Sequence, residues 1–244
     1  MIKLVENNKE ASLVLEQLSV DMAPILAAKM FTEGFGVNQD FLKFYAAFSD
    51  NGKLCAAFIS CNDRIFCLIE ELYNTDEILL FLNGFQDYKI FISSEHSNII
   101  ERNDFYICNL MKKCGTFEYR LDKVKTIESK DFTDIIMKDK DRDSYIRFFL
   151  NNSHLQRHGY LQNYALFNKG SALCVASVFN DVNHTYLCNV FTPAEHRANG
   201  FATALINNVT DNTTECHLIC QEDVSKLYEK CGFVTYSKWI EYLY

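Results

Sequence analysis

A mixed α/β fold (α+β, a mixed sheet) built from two related halves is predicted by three features of the sequence. Short β-rich runs alternate with amphipathic runs of helical period from end to end, the pattern of strands and helices packed in layers. The aromatic complement, 20 Phe and 13 Tyr against one Trp, suits pleated, half-buried surfaces. The stretch KCGTFEY (Lys113–Tyr119) returns as KCGFVTY (Lys230–Tyr236), and each copy closes a similar series of elements behind an apolar hairpin, around Cys55 and around Cys174. A tandem duplication follows, with its boundary near residues 121–130 and domains of 1–124 and 125–244, each long enough for its own core.

From Asn8 to Phe31, Leu13, Leu15, Leu18, Met22, Ile25 and Leu26 recur at helical spacing, and Pro24 either kinks this helix or divides it in two. A second helix is expected over Asn38–Phe48. KLCAAFIS and RIFCLIE then switch to short β-rich runs joined at CND, a hairpin signature. Thr75–Phe85 reads as a helix with Thr75 as N-cap ahead of Glu77, KIFISS as a strand, Asn98–Cys114 as a helix and TFEYRL as a strand. The second half repeats the order. Asp131–Lys138 and Asp141–Asn152 are helical, each opened by an Asp that suits the positive end of a helix dipole. NYALFN and ALCVASVF make a hairpin around NKGS, and HTYLCNVF is a third strand. Gly200–Val209 is a helix, CHLIC a strand, Val224–Cys231 a helix and FVTYSKWIEYLY the closing β-rich segment.

The formal net charge of -8 would repel a phosphate backbone, and Lys and Arg form no basic patch, so nucleic acid is excluded as a partner. The densest charged run, KDKDRDS (Lys138–Ser144), alternates in sign as a solvated face does. An acidic surface mildly favours cationic substrates. Ten cysteines lie inside apolar runs such as KLCAAFISC and SALCVASVF rather than at framework spacings, which makes them small core residues. There is no C-x-x-C, and Cys216 and Cys220 alternate with Leu218 on one strand face, so no metal is expected. His154 and His158, four apart on a helix, have metal-compatible spacing but no third ligand in view. No apolar run approaches the roughly 18 residues of a membrane span, and a cytoplasmic protein, monomer or homodimer, is expected.

The chemistry concentrates in VFTPAEHRANGFATAL, Val190–Leu205. A strand followed by R-A-N-G-F-A and a helix leaves no bulky side chain over the chain at Gly200. Successive N–H groups at the helix start can then point outward, and with the helix dipole they attract phosphate oxygens. Arg197 adds a fixed positive fork. The alternative is a plain strand-to-helix turn whose Gly serves tight packing. The chain has neither G-x-x-x-x-G-K-[ST] nor G-x-G-x-x-G, the commoner phosphate loops.

One strand beyond comes LYEKCGF, Leu227–Phe233. The two motifs together resemble the GNAT superfamily of acyl-CoA-dependent N-acyltransferases, in which a strand, Q/R-x-x-G-x-G/A opening a helix, and a later L-Y-x-K-x-G-F occur in that order. Arg197, Gly200 and Ala202 match the first; Leu227, Tyr228, Lys230, Gly232 and Phe233 match the second. The resemblance covers about Asp122–Tyr244, and the wording V-F-T-P-A-E-H-R is similar to two-domain bacterial members with a degenerate N-terminal copy. It implies a central sheet that splays apart and a function as an N-acetyltransferase moving acetyl from acetyl-CoA to a small-molecule amine. Amides of Arg197, Ala198, Asn199, Gly200, Phe201, Ala202 and Thr203 would hold the pyrophosphate. Val190, Phe191 and Thr192 would pair with the pantetheine, and an N–H there would polarise the thioester carbonyl. Tyr228 would protonate the leaving thiolate, which a phenol of reference pKa about 10 can do at neutral pH. Gln221 stands where the family commonly has a pantetheine-binding Asn, and Cys188 and Asn189 stand where many members carry a Glu base. No base is assigned: His184 and His196 are candidates by residue type only, the alternative being a surface or loop histidine. In the first half YNTDEILLFL puts Asp76 and Glu77 where phosphate would arrive, so that half is structural. A non-catalytic acyl-CoA-binding or sensing module is the second reading.

Overall fold

Two-residue turns at residues that tolerate positive φ set the strand pairings on which both halves are built. The computed structural model describes residues 1–114, 123–210 and 215–243. In chain order the elements are β1 (Ile2–Leu4), α1 (Asn8–Gln17), α2 (Met22–Phe35), β2 (Asn38–Gln39), β3 (Leu42–Phe48), β4 (Leu54–Cys61), β5 (Arg64–Ile69), α3 (Thr75–Asn83), β6 (Lys89–Ser93) and β7 (Phe105–Cys114). They continue with β8 (Val124–Thr126), α4 (Ser129–Ile136), α5 (Arg142–Arg157), β9 (Gln162–Asn168), β10 (Ser171–Asn180), β11 (Thr185–Phe191), α6 (Phe201–Val209), β12 (Glu215–Gln221), α7 (Ser225–Glu229) and β13 (Val234–Tyr242). Two units emerge: Met1–Leu110 with Ile219–Asp223 and Thr235–Tyr244, and Met111–Leu218 with Val224–Val234.

In the first unit, β3 and β4 run antiparallel from Leu42↔Cys61, and β4 turns into β5 through Asn62, at φ 55. Helix α3 carries the chain over to β6, which lies parallel to β5 from Arg64↔Lys89 to Cys67↔Ile92. The last strand of the chain completes this sheet: β13 pairs antiparallel with β6, Trp239 opposite Ser93 and Tyr242 opposite Ile90. Every residue of β4 is buried, in a core that includes Phe58, Ile65, Ile78, Ile90 and Tyr242. Trp239, 1% exposed, lies 5.0 Å from Phe91 ring to ring, and its indole N–H donates to Asp21 Oδ2 at 2.6 Å. Asp21 precedes α2 and makes no cap bond of its own. Tyr236 accepts the Ala23 N–H through its hydroxyl at 3.1 Å, so the C-terminal strand fastens the first turn of α2.

The second unit repeats the strand sequence. β9 and β10 form a hairpin through Lys169 and Gly170, φ 48 and 87, the pair of positive φ values that a type I′ turn needs. β11 is antiparallel to β10 and parallel to β12, and β8 lies beside β9. Phe132, Ala165 and Val175 centre a core that α4 and α5 cover. Asp141 caps α5 by accepting the Ser144 N–H at 2.9 Å.

Several expectations are corrected. Residues 38–48 form β2 and β3, not a helix: Leu42, Phe44 and Ala46 face the core at period two. Residues 98–114 give a short 3-10 turn and then β7, not a helix. Both runs are apolar on two faces, and a short run of that kind carries no period that separates strand from helix. The chain breaks before Asp21, leaving Pro24 inside the first turn of α2, where its missing N–H costs nothing. Asn74, not Thr75, caps α3, and Asp131 lies inside α4 behind Glu128. The KCG match joins unlike elements: Lys113 and Cys114 end a strand, while Lys230 follows α7. The rest of that first copy, and the TFEYRL strand, lie outside the described residues. The duplication is carried instead by the order hairpin, third strand, helix, parallel strand, which runs β3-β4-β5-α3-β6 and again β9-β10-β11-α6-β12. The described cysteine side chains are free thiols, buried except for the partly exposed Cys188. Among the described residues no helix is long and apolar enough to cross a membrane.

Replacing Trp239 by Ala removes the ring against Phe91 and strands the Asp21 carboxylate. Urea unfolding followed by circular dichroism is expected to show a loss of about 3–5 kcal/mol, with Trp239→Phe losing clearly less.

Candidate active site

β11 begins as an interior strand and ends as an edge. Its register with β12 is Thr185↔Cys216 and Tyr186↔His217, and no later pair joins them. Against β10, Ser177 faces Cys188 but Val175 faces Phe191, so β11 spends one extra residue over that interval. The extra residue makes a bulge at Asn189, which sits at φ 53. The segment Val190–Thr192 is therefore displaced from a regular ladder and has main-chain groups available on one side. Thr192 is fixed from beneath, its hydroxyl 3.1 Å from Cys174 Sγ. Burial pushes that thiol up to about 11 despite the hydrogen bond, so it stays protonated.

After Pro193 the chain makes a 3-10 turn over Ala194–His196 and reaches Arg197, whose Nε donates to Thr192 O at 3.1 Å. Ala198 (φ 60) and Gly200 (φ 76) take left-handed backbone, and Asn199 braces the loop with its Nδ2 on Arg197 O (2.9 Å) and His196 O (3.3 Å). Gly200 precedes α6 as its N-cap with no side chain to satisfy the first amides. A Cβ at Gly200 would meet nothing within 4 Å, so conformation and not space demands glycine there. Among the described residues the amides of Ala198–Thr203 donate to no main-chain carbonyl; that of Ala204 is the first to close, onto Gly200 O at 3.0 Å. Arg197, Ala198, Asn199 and Gly200 are exposed, and Phe201, Ala202 and Thr203 are partly so. Main-chain donors without main-chain acceptors at a helix start, flanked by a guanidinium, are the chemistry that an anion of several oxygens takes. Glu195 stands close by as a carboxylate held below its ordinary value, chiefly by its own backbone N–H and then by the charges of Lys138, His196 and Arg197 against a desolvation cost.

Tyr228 lies on α7, partly exposed, its ring 6.1 Å from Phe233 in an edge-on arrangement. Its carbonyl accepts the N–H groups of Cys231 (2.9 Å) and Phe233 (3.1 Å), and Gly232 makes the turn at φ 85. That turn explains the glycine of LYEKCGF. Gln221 is the exposed last residue of β12. The base candidates fare poorly: burial pushes the Cys188 thiol up to about 12, and His184 precedes β11 at the end away from the anion loop. His196 packs in the loop, 6.5 Å from the Phe201 ring.

One feature escaped sequence reasoning. From the exposed Asn189 a chain of amides and a hydroxyl runs inward: Asn189 Nδ2 donates to Ser177 Oγ (3.3 Å) and Ser177 Oγ to Asn163 Oδ1 (2.8 Å). Asn163 Nδ2 donates in turn to Asn152 Oδ1 (2.6 Å) and Gln156 Oε1 (3.1 Å). Asn163 and Ser177 are 0% exposed. The network ties α5, β9 and β10 to the bulge residue, and only the polar residues at core positions of QNYALFN and ALCVASVF hinted at it.

The corresponding corner of the first unit is closed. β5 keeps its parallel partner over four register pairs where β11 keeps two. Asn74 Oδ1 accepts the Glu77 N–H (3.2 Å), and Glu77 Oε1 accepts that of Ile2 (2.8 Å), so the start of α3 is capped and acidic.

Residues 121–233 match the model of the acetyltransferase (GNAT) family. Among solved structures, a GNAT-family acetyltransferase from Colwellia psychrerythraea is 12% identical with a TM-score of 0.61, covering 99% of this chain and 98% of its own. A GCN5-related N-acetyltransferase from Sphaerobacter thermophilus is 9% identical at TM-score 0.63, covering 88% and 84%. A tandem GNAT protein from the clavulanic acid biosynthesis pathway is 11% identical at TM-score 0.58, covering 99% and 98%. At such identities the likeness is one of fold, and it extends over both halves. No curated protein matches this sequence.

Removing the centre of the buried network is expected to be costly. Asn163→Ala leaves Ser177 and Asn152 short of a partner and is expected to lower stability by about 1–3 kcal/mol in denaturant titration, more than Asn189→Ala at the exposed end.

Proposed function

From a GNAT-family acetyltransferase domain over residues 121–233, we infer that this protein moves an acetyl group from acetyl-CoA to the primary amine of a small molecule. The observation that carries this reading is the row of amides from Ala198 to Thr203 without carbonyl partners. They fit a pyrophosphate: several donors converge at the positive end of α6, with Arg197 beside them and no side chain in the way. Val190–Thr192 would take the pantetheine as an added strand, because the bulge at Asn189 leaves that edge unpaired. We assign catalysis to residues 125–244 and a structural role to residues 1–124.

Acetyl-CoA supplies an acetyl carbonyl activated as a thioester. A main-chain N–H at the end of β11 polarises that carbonyl, the neutral amine attacks it, a C–N bond forms and the C–S bond breaks. Tyr228 would give its phenolic proton to the departing sulfur, the proton released by the new ammonium would go to solvent, and solvent would return one to the Tyr228 phenolate, so that no net proton is gained or lost. An acidic protein favours a cationic metabolite as acceptor. The second reading, a non-catalytic acyl-CoA sensor, is favoured by one observation: the partner that many acetyltransferases place on this strand as a base is here Cys188, kept protonated by burial.

The assay is free-thiol release from acetyl-CoA over a panel of small amines, beside cofactor binding by calorimetry. Tyr228→Phe is expected to lower kcat by about tenfold or more with cofactor affinity unchanged. Gly200→Val, forced to φ 76, is expected to weaken cofactor binding. Thiol release no faster than hydrolysis across the panel, with cofactor still bound, would select the sensor; absence of cofactor binding would end both readings.

A further inference from the structure

At the other end of β11 lies a group of side chains that acetyl transfer does not use. His184 closes the β10–β11 connection immediately before β11, and Glu215 and His217 stand two apart on β12, on one side of the strand. The parallel register Thr185↔Cys216 brings the three together. His184 Nδ1 is 3.7 Å from Glu215 Oε2, and His217 Nε2 is 3.6 Å from Glu215 Oε1. The two imidazoles lie 5.3 Å apart, ring to ring, and one donor atom from each of the three residues lies within 4.8 Å of the others. Among the described residues, His184 Nδ1 is buried with no hydrogen-bond partner.

We propose that His184, Glu215 and His217 form a binding site for a divalent transition metal of the zinc type, separate from the acetyl-transfer site. Two imidazoles and a carboxylate are a borderline-soft donor set of the kind zinc takes with water in a fourth position. Tetrahedral ligands about 2.1 Å from the ion stand roughly 3.4 Å from one another, so both carboxylate contacts are already near that spacing and a small side-chain rotation brings the imidazoles in. Lys112 is the present counter-ion, its Nζ 3.1 Å from Glu215 Oε1. A metal must displace that ammonium. Bound, it would clip the β10–β11 connection to the start of β12, far along β11 from the anion loop. Sequence spacing concealed the set, because its members come from two separated segments.

The test uses the full chain stripped with chelator and titrated with Zn2+ by calorimetry and with Co2+ by absorption. One saturable Zn2+ per chain, a raised Tm and cobalt d–d bands without a thiolate charge-transfer band are expected. His184→Gln, which is partly exposed and keeps the core intact, and Glu215→Gln are each expected to lower affinity at least about tenfold. Lys112→Met, which removes the competing cation, is expected to raise it, and His154→Gln to leave it unchanged. Absence of saturable binding, a thiolate band, or full affinity retained in both His184→Gln and Glu215→Gln would overturn the proposal.

Discussion

A strand in the middle of a sheet is obliged to share its main-chain groups with both neighbours, and β11 declines to do so after Tyr186. The geometry of the loop that follows depends on that lapse. Main-chain groups at the end of β11 that β12 does not take up are left to other donors and acceptors, and the bulge at Asn189 displaces them from the regular ladder. The loop that follows reaches left-handed backbone twice, at Ala198 and Gly200, before α6 begins. Amides that a capped helix would have silenced stay outward as a result.

The first unit shows what the same order of elements becomes when the ladder closes. β5 holds β6 for twice as many register pairs as β11 holds β12, and Asn74 spends its side chain on the first turn of α3. Glu77 then adds negative charge to the first turn of α3, where α6 has none. Two copies of one chain path thus differ in a few hydrogen bonds, and those decide whether the first amides of a helix are capped from within the chain. The buried chain from Asn152 through Asn163 and Ser177 to Asn189 belongs to the second unit alone. It is costly to bury and fully used, which makes the bulge a fixed feature rather than a slip of register.

Much of this was legible in the sequence, for local reasons. Gly200 and Gly232 announce backbone that other residues avoid, the hairpins around Asn62 and Lys169 follow from turn chemistry, and the cysteines inside apolar runs are core residues. Strands β3 and β7 were not legible, because both sequences put apolar residues at successive positions and so hide the alternation that separates strand from helix. The KCG match misled for a related reason: three residues fit a strand end or a helix end equally well until tertiary contacts choose. Long-range clusters, the Asn163 network and the His184, Glu215 and His217 set, have no local signature at all.

The C-terminal strand carries a different consequence. Its Trp239 fills a place between Phe91 and Asp21, and its ladder partner is β6, all made early in the chain. On the ribosome those early residues emerge long before their partner does. Until translation is almost over, the edge of β6 and the pocket for the indole stay open to water and to other chains, so the first half to be made is the last to be finished.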